Sequence, residues 1–382
     1  MNSKDYLTNK NFCPIPWNGF MYNSDGTVQN CIRNREPIGS LKNNTLKEIL
    51  DANTEIKQNM IDNKPGHGCQ GCYQLEEGKK SFNIVSDRIF YLKELKNVPL
   101  DTYDHNDNFD LNKIDIRWSN SCNFGCVYCG PEYSSKWVAE LKLDKQDVPQ
   151  ERVEELKQFV FNNAHKLKHV YLAGGEPLLM KENEELLRLL LDVNPEVNLR
   201  VNTNLSKTGT PVFDLICQFK NVHWTISVES MEDEFEYIRH GGKWQDFLDN
   251  LTVIKELDHK VSFNMLWIPL NYLSIFDCIK FLQSQGFQNN SFIANPISNP
   301  IMFDIRQLPN STLQMLDDKL TDLINAGPGY LLEESYRNMK TYISRSFDKQ
   351  PELLKKYLKS IDQLRKLNSK KVFPGVYKCL QS

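Results

Sequence analysis

The sequence has no long apolar run, no internal repeat and no strong excess of charge. Its first residues, MNSKDYLTNK, lack the apolar core of a signal peptide, and no stretch approaches the ~20 uninterrupted apolar residues of a membrane span. The formal net charge of −3 gives no global attraction for nucleic acid or anionic membranes. These absences predict a globular protein of the cytoplasm that does not bind a membrane, and they lend no support to a nucleic acid as its partner.

The cysteines are the main organisational feature of the chain. There are ten of them among 382 residues, and in a cytoplasmic protein cysteines are better explained as metal ligands, reactive thiols or core residues than as disulfides. Four lie near the N-terminus, three lie close together further on, and three stand alone. The length allows a large buried core and more than one domain.

Residues 1 to 110 are predicted to start with a β-hairpin. The stretch GFMYNSDGTVQNC holds two short β-prone runs around an Asp25-Gly26 turn. Cys13 precedes the first run and Cys31 ends the second, so closing the hairpin is expected to bring these two thiols together.

A helix and a glycine-rich loop are predicted to follow the hairpin. Thr45 and Glu48 form a capping box at the start of the helix. The helix is expected to end near NKPGHGCQGC, a loop that carries Cys69 and Cys72.

Residues 111 to 300 alternate between strands and helices. The predicted strands are KIDIRW, HVYLA, NLRVNTN, HWTISV, VSFNMLWI and NSFIANP, and helical segments such as ERVEELKQFVFNNAH and ENEELLRLLLDV separate them. This order implies an α/β fold whose parallel sheet curls into a partial (β/α)6 barrel of the TIM type. Chemistry in such folds collects at the carboxyl ends of the strands. The cysteine triplet begins four residues after Trp118, just past the first strand, where a cofactor is expected.

Residues 301 to 382 are predicted to be mainly helical. The segment PELLKKYLKSIDQLRKLNSKK carries one apolar stripe, formed by Leu354, Leu358, Ile361 and Leu364, with most lysines elsewhere. Such a lysine-rich face suits contact with RNA or a membrane, but a solvated face on a packed helix is commoner, and we expect the latter.

Three cysteines, Cys122, Cys126 and Cys129, fall within eight positions. CxxxCxxC on a loop after a strand can place three thiolates around one face of a cubane iron–sulfur cluster and leave one iron open. Zinc is the alternative, although it would need a fourth ligand nearby and prefers paired CxxC motifs. An open metal position indicates a catalytic site.

The triplet resembles the signature of the radical S-adenosylmethionine (SAM) superfamily, CxxxCxxC with an aromatic residue before the last cysteine, here Tyr128. The stretch YLAGGEPLL after the second predicted strand resembles the family's GGEP motif, formed here by Gly174, Gly175, Glu176 and Pro177. Two glycines permit close approach of backbone to a ligand, and a carboxylate there can accept hydrogen bonds from an ammonium group. The resemblance covers roughly residues 111 to 300 and implies that these residues bind SAM.

Further matches to the family are weaker. EYIRHGG resembles the segment whose arginine reaches the carboxylate of the cofactor, which implies this role for Arg239. VNTNLS and TISVES stand where related enzymes contact the ribose, which implies Asn202, Asn204 and Ser227, although each also suits a strand-end cap or a turn. Glu229 lies at the same rim, either as a catalytic candidate that touches substrate or as the partner of a lysine.

The resemblance implies a chemistry that suits the open iron. SAM would chelate this iron through its amino and carboxylate groups. One electron from the reduced cluster would then cleave SAM to a 5′-deoxyadenosyl radical that abstracts hydrogen from a substrate. An electron donor such as flavodoxin or ferredoxin is the implied partner.

The four N-terminal cysteines, Cys13, Cys31, Cys69 and Cys72, suffice to close every iron of a second cubane. Their layout resembles the SPASM/twitch auxiliary-cluster modules of radical SAM enzymes, although those modules usually follow the barrel and this one precedes it. The implied cofactors are therefore SAM and two [4Fe–4S] clusters. Structural zinc suits four thiolates as well, and His67 either replaces one ligand or lies exposed on its loop.

The solitary cysteines have simpler explanations. Cys217 and Cys278 lie within apolar helical patterns and are predicted to pack in the core. Cys379, near the C-terminus, is predicted to be an incidental exposed thiol, with a catalytic hydrogen-atom donor as the alternative.

Three classes of function remain open on this basis. The favoured one is a radical SAM enzyme that oxidises, cross-links or otherwise modifies a peptide or protein side chain, with a dehydrogenase of a sugar or other small metabolite next. A non-catalytic iron–sulfur or zinc protein is the second class, which the GGEP motif and the Arg239 segment oppose because a metal scaffold needs neither. A nucleic-acid-modifying enzyme is the third, and the net charge lends it no support.

Overall fold

The computed structural model describes residues 9–34, 36–77, 86–95, 103–106, 109–144 and 148–380. It has a mixed α/β fold with a core of parallel strands and helices at the C-terminus, which confirms the predicted fold class. The chain forms two compact units. The first unit comprises Met1–Ser121, Lys142–Arg200 and Asp214–Asn221, and the second comprises Cys122–Leu141, Val201–Phe213 and Val222–Ser382. The division of the chain at residues 110 and 300 stays a prediction.

All six strands predicted for residues 111 to 300 are present, and three short strands precede them. In chain order they are β1 Gly19–Tyr22, β2 Thr27–Gln29, β3 Gly39–Ser40, β4 Lys113–Ile116, β5 His169–Leu172, β6 Asn198–Thr203, β7 Val222–Ser227, β8 Lys260–Trp267 and β9 Phe292–Pro296. Strand β6 contributes its first half to the first unit and its second half to the second.

Helices fill most of the chain between and after the strands. Within the described residues the α-helices are Ile15–Asn18, Leu46–Asp51, Thr54–Ile61, Gln70–Glu77, Asp87–Glu94, Ser135–Leu141, Gln150–Asn162, Lys181–Val193, Pro211–Ile216, Glu232–Ile238, Trp244–Lys255, Ser274–Ser284, Asn310–Asn325, Tyr330–Ile343, Pro351–Arg365, Ser369–Val372 and Pro374–Cys379. None of the helices in these ranges has the length and apolar character to cross a membrane.

The predicted N-terminal hairpin is confirmed in the first unit. Strands β1 and β2 pair antiparallel, with Met21 opposite Gln29. The turn closes through the Gly26 amide, which donates to the Asn23 carbonyl over 2.8 Å, and the φ of +90° at Gly26 favours glycine at that position.

The hairpin also extends a parallel group of strands. Strand β1 pairs parallel with β4, with Phe20 beside Ile114, and β4 pairs parallel with β5, with Ile114 beside Val170. All residues of β1 and β4 are buried, as expected for parallel strands covered on both faces. The module that carries the N-terminal cysteines is therefore joined to the first strand of the predicted barrel by backbone hydrogen bonds.

The second unit contains its own parallel strands, β7, β8 and β9. Ile226 of β7 lies beside Phe263 of β8, and Met265 of β8 lies beside Ala294 of β9. These four side chains are fully buried, whereas Asn264, between the two on β8, is only half-buried. The alternation places these apolar side chains on one face of the strands, whereas the other face is mixed, with the polar Asn264 and the apolar Leu266 both half-buried.

The capping box is confirmed, but the elements after it differ from the prediction. Thr45 Oγ1 accepts from the Glu48 amide over 3.1 Å, and Glu48 Oε2 accepts from the Thr45 amide over 2.8 Å. The helix ends at Asp51, and a second helix follows. The expectation that Cys72 lies in a loop is wrong, since it lies on the helix Gln70–Glu77. The reason is local, because the residues after Cys72, YQLEE, include several strong helix formers that outweigh Gly71.

In the C-terminal helix Pro351–Arg365, the prediction of the apolar stripe is wrong at one residue. Leu354, Leu358 and Ile361 are buried as predicted, but Leu364 is 44% exposed. The next buried position on this face, four residues after Ile361, belongs to Arg365, whose side chain is 2% exposed.

Candidate active site

The cysteine triplet lies on an irregular loop that is tied to the following helix, Ser135–Leu141. The Ser135 hydroxyl accepts from the Cys122 amide over 3.1 Å and donates to the Cys122 carbonyl over 3.2 Å. The Trp137 indole donates to the Cys126 carbonyl over 2.9 Å, and Ser134 Oγ donates to the Phe124 carbonyl over 2.6 Å. These bonds satisfy loop carbonyls that no regular element would satisfy.

The same loop is held from a second side by the segment after the helix Glu232–Ile238. The Gly125 amide donates to the His240 carbonyl over 2.7 Å, and the Val127 amide donates to the Ile238 carbonyl over 2.8 Å. The backbone of the cysteine loop is thus fixed within the second unit.

Donors point at the sulfur of Cys122. The Phe124 amide lies 3.4 Å from Cys122 Sγ, and Asn204 Nδ2 lies 3.8 Å from it. Burial raises the pKa of the Cys126 thiol, and burial together with the neighbouring Cys126 raises the pKa of Cys129 to about 12. Grouped thiols that are buried or half-buried, with N–H donors aimed at one sulfur, suit an iron–sulfur cluster, since the cluster's irons neutralise the thiolates and hydrogen bonds to sulfur tune the cluster.

Tyr128, Glu229 and Arg239 form a buried hydrogen-bonded triad. Arg239 Nη1 lies 2.8 Å from Glu229 Oε2 and donates to the Tyr128 hydroxyl over 2.7 Å, and that hydroxyl donates to Glu229 Oε1 over 3.0 Å. The side chains of Arg239 and Glu229 are 4% and 1% exposed. Burial raises the pKa of the Tyr128 hydroxyl, and the nearby Glu229 carboxylate adds to the rise. The partner of Glu229 is therefore this arginine and not a lysine.

Arg239 still has an unused donor. Its Nε is buried and has no hydrogen-bond partner among the residues that the structure describes. The assignment of Arg239 to the cofactor's carboxylate stays a prediction. The Nε–H group is a donor that such a carboxylate could use.

The GGEP motif packs against the backbone that leads into the cysteine loop. A Cβ added at Gly175 would lie 2.3 Å from the Ser121 carbonyl oxygen, so only glycine fits. The Glu176 amide donates to the same carbonyl over 2.8 Å, and Gly174 has a φ of +123°. The buried Glu176 carboxylate accepts from the Leu178 amide at the start of the 3-10 turn Pro177–Leu179.

The three residues predicted to contact ribose have different surroundings. Asn204 Oδ1 accepts from the Ser206 amide over 2.8 Å, so Asn204 is a turn residue as well as a neighbour of Cys122. Asn202 Oδ1, on β6, is buried without a hydrogen-bond partner within the described parts of the chain. Ser227 ends β7 and is half-buried. Their contact with a cofactor stays a prediction.

The four N-terminal cysteines gather in the first unit. Cys13, Cys31 and Cys72 are buried, and Cys69 is half-buried. Burial raises the pKa of Cys13, and the other three thiols add to the rise, which places all four within electrostatic reach of one another. Asn34 Nδ2 lies 3.8 Å from Cys69 Sγ, so this site also offers a donor to sulfur. Cys13, Cys31 and Cys69 belong to one apolar cluster, and a group of four thiols fits a fully ligated iron–sulfur cluster.

His67 lies apart from this thiol group. Its Nδ1 lies 2.9 Å from Glu36 Oε2, and its side chain is 75% exposed, which matches the expected exposed loop histidine. Across the described ranges, no three His, Cys, Asp or Glu side chains converge on a point that could hold a single metal ion. A cubane makes a different demand, since each cysteine binds a different iron.

The solitary cysteines match their predictions in part. Cys278 is fully buried in the core, but Cys217 is only half-buried, because it follows the end of the helix Pro211–Ile216. Cys379 Sγ lies 3.2 Å from the Tyr272 hydroxyl. Cys379 is thus a half-buried thiol with a hydrogen-bonding neighbour rather than an exposed one.

Sequence reasoning missed a cation–aromatic cluster on the strands of the first unit. The guanidinium carbons of Arg117 and Arg200 lie 5.8 and 5.5 Å from the centre of the Tyr171 ring. Arg117 Nη1 lies 2.8 Å from Asp115 Oδ1 but without hydrogen-bond geometry. A Cβ added at Gly174 would lie 3.4 Å from Arg117 Cα, which places the cluster next to the GGEP motif. The signal for it was the polar residues at alternate positions of three predicted strands.

Two family models match the stretches of the chain that carry the grouped cysteines. Residues 116–282, which include the cysteine triplet and the GGEP motif, match the family model of the radical SAM superfamily. Residues 13–73, which include all four N-terminal cysteines, match the model of the SPASM iron–sulfur cluster-binding domain. The matches confirm the predicted cofactors, SAM and two iron–sulfur clusters.

Relatives with sequence similarity include two GTP 3′,8-cyclases. The one from Sulfurimonas denitrificans is 23% identical over 251 residues, 62% of this chain and 73% of that protein. The one from Aliarcobacter butzleri is 27% identical over 174 residues, 44% of this chain and 50% of that protein. The alignment with Aliarcobacter thus spans half the length of that relative.

Similar solved structures are more distant. SuiB of Streptococcus suis bound to the precursor peptide SuiA has 15% identity and a TM-score of 0.43, over 75% of this chain and 68% of that chain. The protein anSMEcpe with bound AdoMet has 14% identity and a TM-score of 0.43, over 57% of this chain and 58% of that chain.

Proposed function

This chain belongs to the radical SAM superfamily and carries a SPASM-type iron–sulfur module at its N-terminus, and from this we propose that it oxidises a peptide or protein side chain by hydrogen abstraction. When bound, SAM and the first cluster supply a 5′-deoxyadenosyl radical, and the second cluster supplies an electron acceptor. Cross-linking is one form such a net oxidation can take.

The chain's own residues bind and orient these groups. We assign Cys122, Cys126 and Cys129 to the SAM-binding cluster and the four N-terminal cysteines to the auxiliary cluster. From their resemblance to the GGEP motif we assign Gly174, Gly175, Glu176 and Pro177 to SAM binding. We assign Arg239 Nε as a donor to the cofactor's carboxylate. The Tyr128 hydroxyl and Glu229 hold Arg239 in place.

The observation that carries this proposal is the group of four thiols in the N-terminal module, three of them buried and one half-buried. Four thiolates close all four irons of a cubane, so such a cluster cannot bind a substrate without losing a cysteine. Electron transfer is the role that remains, and it favours net oxidation over rearrangement. The choice of a peptide rests on the resemblance to enzymes with auxiliary modules.

The test compares anaerobically reconstituted wild type with a variant in which Cys122, Cys126 and Cys129 are all alanine. We expect about eight irons per chain in wild type and about four in the variant. In each protein the amount of acid-labile sulfide should equal the amount of iron. Only wild type should form 5′-deoxyadenosine from SAM with dithionite. A full iron load in wild type without SAM cleavage would favour a non-catalytic iron–sulfur protein.

A nucleotide is the second candidate substrate. The two relatives named above are GTP 3′,8-cyclases, and the guanidinium carbons of Arg117 and Arg200 lie 5.8 and 5.5 Å from the centre of the Tyr171 ring, which concentrates positive charge at one place in the first unit. Adding GTP to reduced enzyme and SAM should then raise 5′-deoxyadenosine formation above its rate without substrate. If GTP leaves that rate unchanged while a peptide raises it, the peptide proposal is favoured.

The electron donor and the location follow from the same proposal. We infer that a flavodoxin or ferredoxin delivers the electron, which is measured by replacing dithionite with either reduced protein. The cytoplasm is the proposed location, because the reduced thiols of both sites require a reducing compartment.

A further inference from the structure

Arg365 brings a buried positive charge from the C-terminal helix to the cysteine loop. Its side chain is 2% exposed, and its Nε and Nη2 donate to Glu140 Oε2 over 3.0 and 2.8 Å. Its guanidinium carbon lies 4.2 Å from the centre of the Trp137 ring. Arg365 Nη1 is buried and has no hydrogen-bond partner in the described part of the chain.

Several contacts connect this arginine with the backbone between the cysteines. A Cβ added at Gly125 would lie 2.7 Å from Arg365 Nη2, so glycine leaves the space that the guanidinium occupies. Trp137, on which Arg365 stacks, donates to the Cys126 carbonyl over 2.9 Å. Earlier on the same helix, the Tyr357 hydroxyl donates to the Val127 carbonyl over 2.7 Å.

Arg365 and Glu140 form an ion pair near the cysteine loop. Glu140 contacts Arg365 on one side and His240 on the other, where Oε1 lies 3.6 Å from His240 Nε2. Burial and the charge of Arg365 lower the pKa of His240 to about 4, so this histidine is neutral at pH 7. The compensation of Glu140 near the loop therefore comes from Arg365.

We propose that Arg365 and Glu140 are positioning residues that set the reduction potential of the cluster held by Cys122, Cys126 and Cys129. A charge fixed in a buried, low-dielectric site acts on a nearby cluster far more strongly than the same charge in water. Net charge and hydrogen bonding around the sulfurs determine how readily a cluster accepts an electron. The inference rests on the proposed function, since it takes the triplet as cluster ligands.

The test is the midpoint potential of this cluster, followed by electron paramagnetic resonance in a redox titration. To isolate the signal, the N-terminal cysteines Cys13, Cys31, Cys69 and Cys72 are replaced by serine in every sample. Arg365→Gln leaves Glu140 uncompensated and should lower the potential, and Glu140→Gln leaves Arg365 uncompensated and should raise it. The double variant removes both charges and should return towards the parent value.

Two controls separate charge from folding. Lys356→Gln removes an exposed cation from the same helix and should leave the potential unchanged. Arg365→Lys keeps the charge but loses the planar fork, so it should keep the potential closer to the parent than Arg365→Gln does. If the two single variants shift the potential in the same direction, or neither shifts it, the proposal is wrong.

A failure of the charge-pair proposal can also be told apart from a failure of the proposed function. Opposite shifts in a protein that never cleaves SAM would support the charge pair and overturn the radical reaction. Should Arg365→Gln not bind iron, Glu140→Gln and Arg365→Lys still decide, because a potential unmoved in Glu140→Gln would overturn the role of the pair.

Discussion

Glu229 and Arg239 depend on each other because neither side chain reaches solvent. Removing one charge of a buried pair leaves the other unpaired, and such changes cost about 3–5 kcal/mol of unfolding free energy. We therefore expect Glu229→Gln to destabilise the cluster-free protein strongly, and Glu229→Gln combined with Arg239→Met to destabilise it less. Urea unfolding of wild type, the single variant and the double variant measures these free energies. A double variant that is less stable than the single variant would contradict the expectation.

Gly175 is the residue whose replacement tests the GGEP turn. A Cβ there would lie 2.3 Å from the Ser121 carbonyl oxygen, so Gly175→Ala must displace backbone on one side of the contact. Overpacking of this kind costs ~1–3 kcal/mol. We expect a lower melting temperature and weaker SAM binding by equilibrium dialysis. Gly209→Ala is the control, because a Cβ there meets nothing within 4 Å, and equal losses in both variants would contradict the packing explanation.

At the scale of an element, the C-terminal helix offers a comparison between a buried and an exposed leucine. Leu354 is fully buried and Leu364 is 44% exposed on the same helix. Leu354→Ala should cost ~2–5 kcal/mol of unfolding free energy, the range for leucines truncated in a core. Leu364→Ala should change it by less than about 0.5 kcal/mol, as surface substitutions do. Thermal unfolding monitored by circular dichroism compares the two, and similar losses would show that Leu364 is buried after all.

Most elements were predictable because their signals are local. Alternating apolar residues indicated β4 to β9, and the side-chain hydrogen bonds of Thr45 and Glu48 follow directly from their spacing. Arg365 was not predictable, since a charged residue at a stripe position looks like the end of the apolar face. The pairing of β1 with β4 was also out of reach, because hydrogen bonds between strands distant in sequence leave no local pattern.

At the scale of the whole molecule, acid stability should depend on His240. Burial and the charge of Arg365 lower its pKa from 6.5 to about 4, so folding favours the neutral ring. The corresponding stability is complete above pH 6.5 and is lost as the pH falls towards 4. We expect His240→Asn to lose less stability than wild type over this interval. Melting temperatures of cluster-free protein measure it, and parallel curves for the two proteins would contradict the assignment.

The candidate site was predictable as motifs but not as contacts. CxxxCxxC and GGEP carry their chemistry in fixed spacing, so the residue types alone indicated them. The Tyr128–Glu229–Arg239 triad joins residues that are distant in sequence, and its hydrogen bonds depend on how the loops after the strands fold. Glu229 was therefore identified without its partner.

The parallel pairing of β1 with β4 bears on how this protein can be synthesised and dissected. On the ribosome, one edge of Gly19–Tyr22 has no partner strand until Lys113–Ile116 has emerged. A fragment ending at residue 110 would leave that apolar edge open, and open edges of this kind promote aggregation. The auxiliary-cluster module is thus expected to be less soluble when it is expressed alone than when it is part of the full chain.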